Sequence, residues 1–231
     1  MIQHVFACAV ASGAEEVIVA TDDERIERAV IAFGGDVCMT SAEHTSGTDR
    51  IEEVARVHAW DDDTIVVNLQ GDEPMMPPAL LVQVAEGLAN HPEAAIATLS
   101  APLESAEEVF DPNIVKVVCD KHGFALMFSR APIPWEREAF SEEPPRMAHP
   151  PHQLRHIGLY AYRVGFLKRF VDWPTSELET TESLEQLRAL WNGDRIFVER
   201  AMVMPGHGSD TPADLETAEA LLKEWRPVPV T

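Results

Sequence analysis

Apolar positions Ile2, Val5, Phe6 and Val10 recur at helical spacing, Ser12-Gly13 interrupts them, and VIVAT (17–21) follows as a short β-branched run. The chain therefore opens as helix then strand. The alternation continues with a helix over 24–34 that stops at Gly34-Gly35, a short strand over 37–39 and a helix over 48–58. TIVVNL (64–69) is apolar on both alternating faces, which places it inside a parallel sheet covered by helices on either side. A helix opened by proline (78–92) and a strand (94–103) complete this first half.

The rhythm then changes. IVKVVCD and FALMFSR flank Lys121-His122-Gly123, the pattern of a hairpin, so the sheet gains antiparallel members. Residues 134–155, rich in Pro, Glu and His, read as a long mobile excursion. Strand returns over 156–164, followed by helices over 166–173 and 176–191, a strand over 195–204 and a last helix from Pro212. No repeat, low-complexity tract or linker divides the chain, so one α/β domain over 1–231 is expected, with a hairpin and loop excursion around 114–164. A doubly wound sheet normally opens on a central strand whose following loop holds phosphates, whereas this chain opens on a helix.

Composition narrows the partners. The 18 basic against 39 acidic residues give a formal charge of -21, which repels nucleic acid at long range. A small anionic substrate would need gathered arginines or a bound cation. Cys8, Cys38 and Cys119 are odd in number and widely spaced, which fits buried thiols in the cytoplasm rather than a disulfide framework or zinc site. No apolar run approaches the roughly 20 residues that span a bilayer.

The chemistry gathers at strand ends. VVNLQGDEPMM (66–76) ends a strand in Gln70, Asp72 and Glu73, where open α/β sheets bind ligands. Gly71 permits close backbone approach and Pro74 turns the chain away, so Asp72 is expected as a hard oxygen ligand in preference to a cap for the helix after Pro77. In SDTPADL (209–215), Thr211 can cap the helix, which leaves Asp210 spare for the same cation. Mg²⁺ takes one or two carboxylates and fills its octahedron with water and phosphate oxygens. His44 and SGTDR (46–50) can serve a base or anion, although on its own this stretch reads as an ordinary helix cap. Arg130 at a strand end can grip a carboxylate or join a surface ion pair, and Tyr160 shares a strand face with His156. His149, His152 and His156 read as solvent-exposed histidines, since Pro150-Pro151 forbids a ligand-aligning helix. Most charges of the 176–191 helix read as a solvated face, and Asp22-Asp23 and Asp61-Asp62-Asp63 as loop acids.

VATDDERI, CMTSAEHTSGTDRI, VVNLQGDEP, PNIVKVV, FSRAPIPW, LRHIGLYAYR, LEQLRALWNG and SDTPADLE, in this order, resemble the 3-deoxy-manno-octulosonate cytidylyltransferases, or CMP-KDO synthetases, along essentially the whole chain. The resemblance implies a nucleotide-diphospho-sugar transferase-like, Rossmann-like α/β fold with a mixed, mainly parallel sheet and helices on both faces. It also implies Mg²⁺-dependent transfer of CMP from CTP to the eight-carbon sugar acid for lipopolysaccharide synthesis, in a homodimer. By the same resemblance Asp72 and Asp210 hold the metal, and Gln70, Arg130, His156, Tyr160, Glu185 and Gln186 line the sugar-acid pocket. Ser46, Gly47 and Thr48 lie near the cytosine. Family members begin with a strand and a glycine-rich, Arg- and Lys-bearing loop around the triphosphate, which nothing here matches. The expectation is weak CTP affinity and poor packing where that strand would lie. The rivals are a cytidylyltransferase for another acidic sugar such as a sialic acid, a non-catalytic sugar-acid-binding remnant, and a glycosyltransferase, which the missing Asp-x-Asp disfavours.

Overall fold

The computed structural model describes residues 1–44, 46–144, 146–147, 152–206, 212–222, 225, 227 and 230. Helix α1 (Ile2–Ala11) leads into β1 (Ile18–Thr21), α2 (Glu24–Ala32), β2 (Asp36–Met39), α3 (Gly47–Val57) and β3 (Ile65–Asn68). Next come α4 (Pro78–Ala89), β4 (Ile96–Pro102), a short α5 (Ala106–Phe110) that the periodicity does not predict, and the hairpin of β5 (Lys116–Cys119) and β6 (Ala125–Ser129). The long β7 (Leu154–Arg163), α6 (Val164–Phe170), α7 (Glu177–Glu182), α8 (Leu187–Trp191), β8 (Ile196–Arg200) and α9 (Pro212–Leu222) follow.

The ten residues of β7 organise the main six-stranded sheet. Along one edge β7 pairs antiparallel with β4, and its other edge is shared by β5 at its start and β3 at its end. β8 runs parallel to β4. Strands β3, β4, β5 and β8 thus share one direction, with β7 and β6 opposed, so the sheet is mixed with a parallel majority of directions. Helices cover both faces. Leu80, Leu81, Val84 and Leu88 of α4 pack on Ala97, Leu99, Ile157 and Leu159, while Phe166 and Phe170 of α6 and Leu187 of α8 pack on Ile96, Val117, Phe128 and Tyr162.

Strands β1 and β2 form a separate two-stranded parallel sheet. Among the described residues, the second edges of β1 and β3 have no strand partner. A cavity of about 1290 Å³ lies between them, lined by Val17 to Ala20, by Thr64 to Asp72 and by residues of α1 and α4. TIVVNL is thus only half-buried, where the apolar run predicts a strand enclosed on both faces.

Two further expectations change. The helix over 176–191 is broken: α7 ends at Ser183, whose φ of 53° is left-handed, and α8 begins afresh at Leu187. The expected mobile excursion is anchored by a one-turn helix whose Phe140 buries against Leu103 and Val109 and meets the rings of Phe110 and Trp135.

Candidate active site

The QGDEP stretch leaves β3 as a turn, with Glu73 N–H donating to Gln70 O at 3.2 Å. The Gln70 side chain donates to Gly158 O at 3.2 Å. That carbonyl is presented by a bulge: opposite Thr98 and Leu99, strand β7 skips from Tyr160 to Ile157. Asp72 lies half-buried on the cavity wall beside Gln70 and Gly71. Helix α4 has Pro77 at its N-cap and no side-chain cap bond, so neither Asp72 nor Glu73 serves as its cap. The loop is seated by buried Met75 and Met76 and by the Cys8 thiol, which donates to Pro74 O at 3.2 Å. Burial lifts that thiol to about 11, so it remains protonated.

Asp210 and Thr211 lie outside the described residues, as does His149. The described chain nevertheless approaches the loop four residues before Asp210. A Cβ on Gly206 would meet Met75 Cβ at 2.6 Å and Met75 O at 2.7 Å, so only glycine can pass there.

On the opposite face of β7, His156, Tyr160 and Tyr162 form a ladder with Phe128 and Phe166. Ring centroids are 4.9 Å apart for Phe128 and His156, 5.3 Å for His156 and Tyr160, and 5.7 Å for Tyr160 and Tyr162. Burial pushes His156 down to about 3, so its imidazole is neutral. The single hydroxyl proton of Thr98 is directed at Ile157 O (3.0 Å) and Leu159 O (2.8 Å). Thr98 therefore accepts from His156 Nε2 at 2.9 Å, and Nδ1 is left as the acceptor. His156 is accordingly a half-buried, bonded strand residue, contrary to its reading as a solvent-exposed loop histidine; His152 is exposed.

Glu185 and Gln186, expected on the sugar side, meet the Ser-Gly-Thr stretch expected on the nucleotide side. Burial raises the Glu185 carboxyl, while the hydroxyls of Ser46 and Thr48 counter the rise. Its Oε1 is buried without a hydrogen-bond partner among the described residues. A void of only about 20 Å³ separates Thr48, Tyr160, Tyr162, Glu185 and Gln186. The Ser46 hydroxyl also caps α3, accepting from Asp49 N–H at 3.1 Å, so the ordinary cap reading holds here. Tyr162 is held by Thr48 and Asn68, two contacts that join β7 to β3 and α3.

Arg130, at the end of β6, forms no ion pair among the described residues. Its Nε donates to Glu182 O at 2.8 Å and its Nη1 to Pro112 O at 3.0 Å. Lys116 and Arg155 face each other across β5 and β7, and Arg155 Nε is buried without a partner among the described residues. A strongly acidic chain thus gathers three cations on adjacent strands, as an anionic substrate requires.

The charges on the broken helix are not a solvated face. Glu179 pairs with Arg188, both buried, at 2.5 Å and 2.8 Å, and Glu182 binds the end of β6. Sequence reasoning missed Asn68, Thr98, Tyr162 and Glu182. A polar Thr98 inside an apolar strand, and Tyr162 two residues after Tyr160, were the available signals. Among the described residues no group of three His, Cys, Asp or Glu could hold a metal.

Residues 1–196 match the family model described as cytidylyltransferase. The chain is 54% identical to a 3-deoxy-manno-octulosonate cytidylyltransferase of Idiomarina loihiensis over 96% of its own length and 87% of the relative's. It is likewise 54% identical to one of Aeromonas hydrophila, with 96% and 88% covered. A solved structure of CMP:2-keto-3-deoxy-manno-octonic acid synthetase complexed with CTP is 43% identical, with a TM-score of 0.85 over 96% of this chain and 87% of that one. A 4-diphosphocytidyl-2C-methyl-D-erythritol synthase, 12% identical with a TM-score of 0.61, shares the fold alone.

Proposed function

The chain belongs to the cytidylyltransferase family, and from that premise we propose that it transfers CMP from CTP to 3-deoxy-manno-octulosonate, releasing pyrophosphate, for lipopolysaccharide synthesis. The anomeric hydroxyl oxygen attacks the α-phosphorus and loses its proton, and the bond from that phosphorus to the bridging oxygen of pyrophosphate breaks in line. The observation that carries this reading is the bond from Gln70 to the Gly158 carbonyl. It sets the Asp72 loop against the strand that bears His156 and Tyr160.

In this reading Arg130 grips the sugar carboxylate, because its guanidinium is fixed by carbonyls and no described carboxylate pairs with it. His156 receives a sugar hydroxyl at Nδ1. With its pKa near 3, it is a poor base at neutral pH and acts by orientation. Gln70, Tyr160, Glu185 and Gln186 complete the sugar pocket. Ser46, Gly47 and Thr48 approach the cytosine and communicate with Glu185 through its contacts to the two hydroxyls.

The oxygen donors on the cavity rim suit a hard cation, so Asp72, with Asp210 as second ligand, would hold Mg²⁺. The ion would neutralise charge on the phosphates and the sugar acid. We place the enzyme in the cytoplasm as a homodimer. Its three free cysteines suit a reducing compartment, and among the described residues no helix is long and apolar enough to cross a membrane. The test is pyrophosphate release with CTP, Mg²⁺ and either 3-deoxy-manno-octulosonate or a sialic acid. Turnover is expected with the eight-carbon acid, and a preference for the sialic acid would overturn the substrate assignment.

A further inference from the structure

Glu182 uses three acceptors on two consecutive residues. Its Oε1 accepts from Ser129 Oγ at 2.6 Å, its Oε2 from Arg130 N–H at 2.9 Å, and its main-chain oxygen from Arg130 Nε at 2.8 Å. The carboxylate is therefore directed at backbone and hydroxyl, and among the described residues the guanidinium donates only to carbonyls. This distinction matters for binding. A carboxylate on the guanidinium would neutralise it and compete with an incoming anion, whereas carbonyls fix its direction and leave its charge intact. Of the five N–H donors of an arginine, two are engaged by the described residues, so the remainder can meet a ligand.

The second bracket is equally well held. Pro112 O, which accepts from Arg130 Nη1, belongs to a turn gripped by the fully buried Lys116, whose Nζ donates to Asp111 O at 2.8 Å and Ile114 O at 2.6 Å. The first bracket lies next to the left-handed Ser183 that separates α7 from α8, and Glu185 and Gln186 follow directly.

We propose that Glu182 is a positioning residue for sugar-acid recognition: it holds Arg130 at a fixed direction and in register with Glu185 and Gln186. The inference rests on the function proposed above. A side chain that only closed a helix would not need to bind the strand end through both oxygens, and Glu179 already supplies the structural ion pair of this segment.

The test compares Glu182→Gln with Glu179→Gln in the full chain. Glu182→Gln should raise the KM for 3-deoxy-manno-octulosonate about tenfold, with the KM for CTP and kcat at saturating sugar changed less than about twofold. Glu179→Gln should lower Tm and leave both KM values unchanged. A second readout is independent of turnover: in nuclear magnetic resonance the Arg130 Hε should exchange slowly with water, and Glu182→Ala should make it exchange fast. An unchanged sugar KM in Glu182→Gln, or equal rises in both KM values, would overturn the proposal, as would an Arg130 Hε indifferent to Glu182→Ala. Absent turnover in the unmutated chain with Hε slowed as expected would count against the substrate reading while upholding the clamp.

Discussion

Strands β3 and β4 both open as apolar runs, IVVN and IATLSAP, yet they end in opposite surroundings. β4 has β7 on one edge, β8 on the other and helices over both faces, and its residues from Ile96 to Ala101 are all buried. β3 has β7 on one edge and a cavity of about 1290 Å³ on the other, and none of its four residues is fully buried. An apolar run determines that a strand forms, while the number of its neighbours determines what that strand contributes. The same division runs through the site. Arg130 and His156 stand at or in the closed sheet, Asp72 and Gln70 border the cavity from the β3 side, and Tyr160 and Glu185 line it as well.

Truncation should separate the two regions most sharply. Leu99→Ala, at a position fully enclosed between sheet and α4, should cost about 2–5 kcal/mol in denaturant unfolding, because both transfer energy and cavity formation oppose it. A loss below about 1 kcal/mol would mean that the closed half is looser than its packing implies. The next effect concerns pH. His156 is depressed from 6.5 to about 3 in the folded protein, so between those values the unfolded chain binds a proton that the folded one refuses. Stability should therefore fall as pH drops through this window, by at most about 1.4 kcal/mol per unit from this group, and the contribution is absent above pH 6.5, where both states are neutral. His156→Asn should remove that component from a pH series of unfolding curves, and an identical slope in the variant would refute the desolvated imidazole. The smallest effect is expected at Val66→Ala on the cavity wall, below about 1 kcal/mol. A cost equal to that of Leu99→Ala would erase the contrast between the strands.

Much of this arrangement was legible in the sequence. The helices and strands through residue 129 follow the apolar periods closely, with α5 as the exception, and the hairpin around Lys121-His122-Gly123 lies as its turn residues require. The break at Ser183 was not, because Leu184 and Leu187 continue a helical apolar stripe across it and no glycine marks the left-handed residue. For the same reason Glu182 looked like one more solvated charge. Its role comes from β6, more than fifty residues away, and no local pattern carries that contact. The meeting of Glu185 with Ser46 and Thr48 is likewise a tertiary fact. Alternation reports which side chains are apolar and is silent on whether a neighbouring strand is present, so the openness beside β3 was foreshadowed only by the resemblance, with its expectation of poor packing there.

The most direct test of the account is pyrophosphate release from CTP and 3-deoxy-manno-octulosonate by the unmutated chain and by Asp72→Asn, with Mg²⁺ present and then chelated. The account predicts release that needs both substrates and the metal, reduced at least about a hundredfold by Asp72→Asn. Release that persists in Asp72→Asn at the unmutated rate, or that survives chelation, would contradict it.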